Sequence, residues 1–277
     1  MKFSIASYSF HRLLASGQQD MFKYIQDSKD MGMAQLDPWN GHLASLTQED
    51  LALKKRGDRN ASFSPENLAY ANNVKTAIEE SGLPLACLAV DGAHIYEPTP
   101  EARHANRASA YRWIAVAQQL GASQIRIDTG GTSEMSEEMF DLIVEGYRDL
   151  LKRTQDAGLE LLMENHWGAN NVPDNIVRIF QAVDGIGLLF DTNNWAEGMQ
   201  DRGWEMCARY ARSVHVKTFE FDEQGNDPTV DLPKAIKLLV DAGYDGVWGI
   251  ESVPRDGDEY GAVQKTRSLI ERILKGS

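Results

Sequence analysis

Four short apolar runs in this sequence each end in a side chain that can bind a metal ion or carry a proton. LELLMEN ends at Glu164, GLLFDTN at Asp191, SVHVK at His215 and VWGIES at Glu251. The aliphatic residues before each polar group predict buried strands. A carboxylate closing a buried strand costs on the order of several kcal/mol if it stays ionised and unpaired, so it needs a partner. For one such residue an ion pair or a helix cap is an equally good account. Four at equivalent points of successive units point instead to one shared ligand. Three carboxylates and an imidazole suit Mn²⁺ best, with Mg²⁺, Co²⁺ and Zn²⁺ also admitted. These ions prefer about six ligands, which leaves positions for two adjacent oxygens of a ketose or hydroxyaldehyde. An ion there would polarise the carbonyl and stabilise an enediolate. Glu164 and Glu251 are the residues available to remove the neighbouring proton and return it.

Side chains two apart on a strand share a face, which puts His166 beside Glu164 and Lys217 beside His215. Lys217 is expected either to hold a substrate oxygen or to be a surface lysine just past its strand. His166 and Trp167 are candidates for one wall of a sugar site. His94, Trp195, Trp39, Tyr8 and Phe10 also follow strand ends, where each could face a sugar or simply pack a loop. His11, His42 and His104 read as surface or packing residues.

Elements that could bring these residues together are legible in the rhythm of the chain. Eight strand candidates, Phe3–Ser7, Ala34–Asp37, Pro84–Val90, Gln124–Asp128, Glu160–Glu164, Gly187–Asp191, Ser213–Lys217 and Val247–Glu251, alternate with amphipathic stretches. Those stretches include Pro65–Glu80, Glu101–Leu120, Glu137–Ala157, Leu232–Ala242 and Tyr260–Leu274. Gly82, Gly121, Gly158 and Gly243 stand where helices should stop before the next strand. This pattern predicts an α/β fold, a single (β/α)8 barrel domain over residues 1–277, with an open doubly wound sheet as the other arrangement. In a barrel the C-terminal ends of the last four strands lie side by side on the catalytic face. The Ser-, Asn- and Asp-rich segment Gly41–Pro65 reads as a long loop on that rim.

Composition agrees with an ordinary globular chain. Of 277 residues 42% are hydrophobic and 25% charged, and the formal charge is −13. So negative a surface repels polyanions, which argues against nucleic-acid and acidic-membrane partners. Cys87 and Cys207 lie in apolar and amphipathic segments and read as buried free thiols. No apolar run approaches the roughly 20 residues that span a bilayer. The interrupted N-terminus MKFSIASYSFHRLL lacks a signal-peptide core, and a cytoplasmic location is expected. The expected partner is a small sugar, with homo-oligomerisation left open.

MENHWG, LLFDTNNW, SVHVK and GIES, within a likeness that runs from KFSIASYSF to the last helix, resemble the sugar phosphate isomerase/epimerase superfamily of xylose isomerase-like barrels. That group includes ketose 3-epimerases, hydroxypyruvate isomerase, inosose dehydratase and an AP-endonuclease branch. The resemblance implies that Glu164, Asp191, His215 and Glu251 are metal ligands and that Glu164 and Glu251 are the acid/base pair. It implies a sugar isomerase or epimerase, or a lyase expelling a β-substituent from the same enediolate. A sugar-binding barrel without turnover is the third reading. Two features depart from the ketose epimerases: Asn194 stands where they carry a histidine, and KTFEFDEQG lacks an expected arginine. Asn194 is therefore expected to meet a different hydroxyl pattern. Asn194 and Gly130-Gly131 also replace histidines that a three-zinc endonuclease site would need.

Overall fold

The computed structural model describes residues 1–58 and 60–276. Among them, seven parallel strands form one sheet: β1 (Phe3–Ile5), β2 (Cys87–Val90), β3 (Gln124–Ile127), β4 (Glu160–Glu164), β5 (Gly187–Asp191), β6 (Ala211–Thr218) and β7 (Trp248–Ser252). Their order is β1-β7-β6-β5-β4-β3-β2. The second strand expected from sequence, Ala34–Asp37, forms no ladder. Its segment instead makes isolated parallel bridges to both sheet edges, Ala6 to Asp37 on one side, Leu36 to Leu85 and Trp39 to Ala89 on the other. Pro38 explains the interruption, because it carries no backbone N–H to donate. Ser7 N–H donates to the Asp37 carbonyl (3.0 Å) and Ala89 N–H to the Pro38 carbonyl (2.9 Å), so the segment still joins the two edges and closes the ring.

Gly41–Pro65 departs further from its expected loop. Residues Ala44–Arg56 form a helix that buries Leu46, Asp50 and Leu53. Those positions recur at helical spacing, a signal hidden by the polar residues between them. Elsewhere the helical readings hold within a residue or two: Pro65–Ser81, Pro100–Leu120, Glu137–Asp156, Leu232–Asp241 and Glu259–Gly276. Ser64, Thr99 and Ser136 cap the first three of these by accepting a backbone N–H three residues on. Gly82 (φ 74°) and Gly121 (φ 77°) stop two helices in the left-handed conformation, as their positions predicted.

The barrel interior is layered by the two-residue period of its strands. Cys87, Leu162 and Leu189, all fully buried, form a small apolar cluster apart from the main core. Two residues further along the same strand faces come Ala89, Glu164 and Asp191. A hydrophobic floor thus lies beneath a polar layer, and the larger apolar core, with Trp113, Tyr147, Phe190 and Trp204, fills the space between strands and helices. Cys207 is buried there too, and both cysteines are free thiols.

Candidate metal centre

Register, not sequence proximity, assembles the polar layer. Asp191 pairs with His215 across β5 and β6, and Lys217 with Glu251 across β6 and β7. One ligand atom from each of Glu164, Asp191, His215 and Glu251 lies within 4.8 Å of all the others, and all four side chains are buried. Both oxygens of Glu164 and of Glu251 have a partner, whereas Asp191 is held by hydrogen bonds on one side only. Asp191 Oδ1 accepts the backbone N–H groups of Asn193 (2.6 Å) and Asn194 (3.0 Å). Its Oδ2 is buried without a hydrogen-bond partner. Asn165 clamps the same strand end, donating to the Asp191 carbonyl and accepting its N–H. Glu164 Oε1 accepts from Asn194 Nδ2 at 3.3 Å, and its Oε2 is 3.0 Å from Arg126 Nε.

Lys217 and Asn194, both read from sequence as substrate-binding candidates, sit inside this cluster. The Lys217 ammonium is 3.1 Å from Asn194 Oδ1 and pairs with Glu251. His215 Nδ1 lies 2.9 Å from Glu251 Oε2, and Nε2 lies 3.0 Å from Asp37 Oδ2. His166 is tied to Asp128 at 3.0 Å and lines the same cavity as Glu164.

Burial and charge drive the two glutamates apart. Burial raises the Glu164 carboxyl to about 7, against the opposing pull of Arg126 and His166. Around Glu251, burial is outweighed by Lys217 and by the His215 hydrogen bond, which hold its carboxyl below the usual range. Burial also raises Asp191. His215 resists the lowering effect of burial because Asp37 and Glu251 flank it, and it is raised. His166 is raised to about 9 by Glu164 and Asp128, again against burial.

The donor set fits a divalent cation. Asp191 Oδ2 is buried without a hydrogen-bond partner, and His215 Nδ1 faces only Glu251 Oε2, another member of the same cluster. Asp37, Asp91, Asp128, Glu164, Asp191 and Glu251 are answered by the fixed cations Lys217 and Arg126 and by protons on His166 and His215. With all six carboxylates ionised, which ligation would require of Glu164, Asp191 and Glu251, six negative charges face at most four positive ones, an excess that a divalent ion would cancel.

A cavity of about 150 Å³ opens beside the cluster, lined among others by Tyr8, Trp39, Asp91, Arg126 and His166. His94 and Trp167 do not line it. His94 is turned to Glu97 (2.5 Å) and packs edge-on against Trp167, whose side of the rim is exposed. Trp195 packs on Phe190, and Phe10 is in the core. Sequence reasoning did not single out Asp37, Asp91 or Arg126. Arg126 and Asp128 alternate with Ile125 and Ile127 in QIRID, and that inward-facing charged pair was the available signal.

A closed α/β ring with its polar cavity at the C-terminal strand ends is the class this fold and site define. Residues 29–273 match the family described as xylose isomerase-like TIM barrel, and the chain belongs to it. An inosose dehydratase of Erwinia tasmaniensis is 25% identical over a match covering 50% of this chain. The match spans 59% of that relative's length. A solved L-ribulose 3-epimerase superposes with a TM-score of 0.74 at 14% identity, covering 100% of this chain and 95% of that one. A barrel of the same description from Mycobacterium smegmatis, solved in complex with magnesium, gives 0.63 at 18% identity, with 92% and 88% covered.

Proposed function

We propose that the protein is a divalent-metal-dependent sugar isomerase or epimerase that moves a proton on the carbon next to a carbonyl. Glu164, Asp191, His215 and Glu251 hold the ion, with Mn²⁺ the best match to their chemistry and Mg²⁺, Co²⁺ and Zn²⁺ compatible with it. The ion supplies Lewis acidity and a template for two adjacent sugar oxygens. Glu164 and Glu251 come from strands separated by β5 and β6, so they approach the cavity from different sides. One removes the proton and the other returns it, to the opposite face in an epimerisation. Their environments suit unlike roles, since Glu164 is driven toward its protonated form and Glu251 toward its charged form. Lys217 and Asn194 answer negative charge that develops on substrate oxygen. His166 offers a hydrogen bond from the cavity wall, while Trp167 and His94 shape the rim further out.

One observation carries this reading. Four ligand-capable atoms from the ends of four consecutive barrel strands converge within 4.8 Å. The likeness to an inosose dehydratase favours a second reading, in which the same proton abstraction is followed by loss of a β-hydroxyl. Incubation of the Mn²⁺-supplemented protein with a panel of ketoses and inososes in D₂O tests both. Deuterium gained at an α-carbon with the formula retained supports the isomerase reading. A new enone absorbance with loss of water supports the lyase. Neither change with any substrate of the panel leaves a binding barrel and overturns the proposal.

A further inference from the structure

The ring of His215 is held from the side opposite the cluster, by a residue of the segment that closes the barrel. Asp37 Oδ2 lies 3.0 Å from His215 Nε2, and both side chains are buried. Asp37 reaches there over a row with little side chain in its way. Ser4 of β1 is in register with Gly249 of β7, which is in register with His215 of β6. A Cβ on Gly249 would stand 2.9 Å from His215 Cδ2, 3.3 Å from Asp37 Oδ2 and 2.4 Å from the Val214 carbonyl oxygen. The missing side chain thus leaves room for the Val214 carbonyl of β6 and for the imidazole beside the carboxylate. Asp37 is itself fixed, since its N–H donates to the Tyr24 hydroxyl (2.7 Å) and Ser4 Oγ donates to its Oδ2 (3.4 Å).

We infer that Asp37 is the positioning residue of the metal centre: by accepting a hydrogen bond from His215 Nε2–H it fixes the ring, and Gly249 supplies the clearance the contact needs. This rests on the reading of Glu164, Asp191, His215 and Glu251 as metal ligands. With Nε2–H committed to Asp37, Nδ1 is the nitrogen that faces Glu251 and the cluster, and its lone pair is the one an ion there would meet in place of the Nδ1 proton. Such outer carboxylates set the tautomer and the basicity of a ligating histidine, and their loss typically weakens metal binding about 10- to 100-fold. Without that hydrogen bond the ring could present either nitrogen to the cluster, or rotate away from it.

Titration calorimetry with Mn²⁺ on the metal-free wild type, Asp37→Asn and Asp37→Ala tests the metal half. Affinity should fall about 10- to 100-fold in Asp37→Ala. Asp37→Asn should lie between, because its carbonyl oxygen still accepts from Nε2 while losing the charge. Wild-type affinity in both variants would overturn the inference, even if their melting temperatures fall. The ring half is read without metal, by ¹⁵N-histidine NMR of the metal-free protein. There the Nε2–H of His215, assigned by its loss in His215→Gln, should give a slowly exchanging downfield proton that Asp37→Ala abolishes. Its absence from the wild type would overturn the inference. Its presence, with no Mn²⁺ uptake by the wild type, would sink the metal reading and leave the Asp37–His215 anchor standing. Gly249→Ala should reproduce the Asp37→Ala loss of that resonance by crowding, and retention of the resonance there would refute the clearance argument.

Discussion

Lys217 places its ammonium 2.6 Å from Glu251 Oε1 and 3.6 Å from Asp191 Oδ2, so one buried cation is shared by two carboxylates of the cluster. Burial alone would strip its proton, but Asp191 and Glu251 outweigh burial and raise it. Lys217→Met leaves both acids short of a partner. Breaking a buried pair in this way costs about 3–5 kcal/mol. The metal-free variant is therefore expected to unfold at much lower urea than the wild type. Saturating Mn²⁺ should recover more stability in the variant than in the wild type, because it supplies the missing charge. Equal metal-induced shifts in the two proteins would contradict the shared-cation arrangement.

Glu164→Gln keeps the volume and the Asn194 contact but cannot take up a proton. Removing a positioned general base typically costs about 10²–10⁴-fold in rate. Solvent exchange at the substrate α-carbon should fall by that range while circular dichroism shows the fold retained, even where loss of the Arg126 pair lowers the unfolding midpoint. Glu251→Gln should fall comparably. Undiminished exchange in both variants would mean that the proton travels through other groups.

His42 gives a pH signature away from the cluster. It is buried between the Tyr24 and Trp39 rings, with Nδ1 3.1 Å from Ser7 Oγ, and burial lowers it from 6.5 to about 4. The folded protein thus keeps this ring neutral where the unfolded chain protonates it. Its contribution to stability is full above about pH 6.5 and is lost as the pH falls toward 4, to a total of about 3 kcal/mol. The difference in unfolding free energy between wild type and His42→Gln should therefore shrink across that window. Parallel pH curves for the two proteins would show that His42 does not titrate differently on folding.

Gly168 lies where two rim loops touch. Its φ is +78°, and a Cβ there would stand 2.4 Å from the Gly130 carbonyl oxygen and 3.1 Å from that of Gly131. Gly168→Ala is expected to cost about 1–2 kcal/mol for the left-handed backbone, with about 1–3 kcal/mol more for crowding. Because His166 enters the cavity two residues earlier, substrate binding should weaken along with stability. A urea midpoint and a KM both unchanged from wild type would contradict this close approach.

How much of this was legible in the sequence depended on whether local pattern and tertiary role coincided. β4 to β7 were readable because Glu164, Asp191, His215 and Glu251 each follow an apolar run, and burial on both faces of a parallel strand demands such runs. The helix stops at Gly82 and Gly121 were readable because φ there is positive. Ala34–Asp37 was misread as a ladder strand because Pro38, one residue beyond it, decides the hydrogen bonding. The Ala44–Arg56 helix was hidden by its sparse apolar stripe. Asp37 closed its strand candidate as Glu164 and Asp191 close theirs, yet it acts at the cluster only through the register row of Ser4, Gly249 and His215, which no local pattern encodes. Arg126 was lost for a similar reason, since its three acidic partners come from β2, β3 and β4 and the residues that follow them.

The central claim is that one divalent cation is held between Glu164, Asp191, His215 and Glu251. A crystal soaked in Mn²⁺ and measured at the manganese absorption edge tests it most directly. A single strong anomalous peak is expected among those four side chains, with Asp191 Oδ2 and His215 Nδ1 in contact with it. No peak there, or a peak held by other residues while these four keep their present contacts, would contradict the claim.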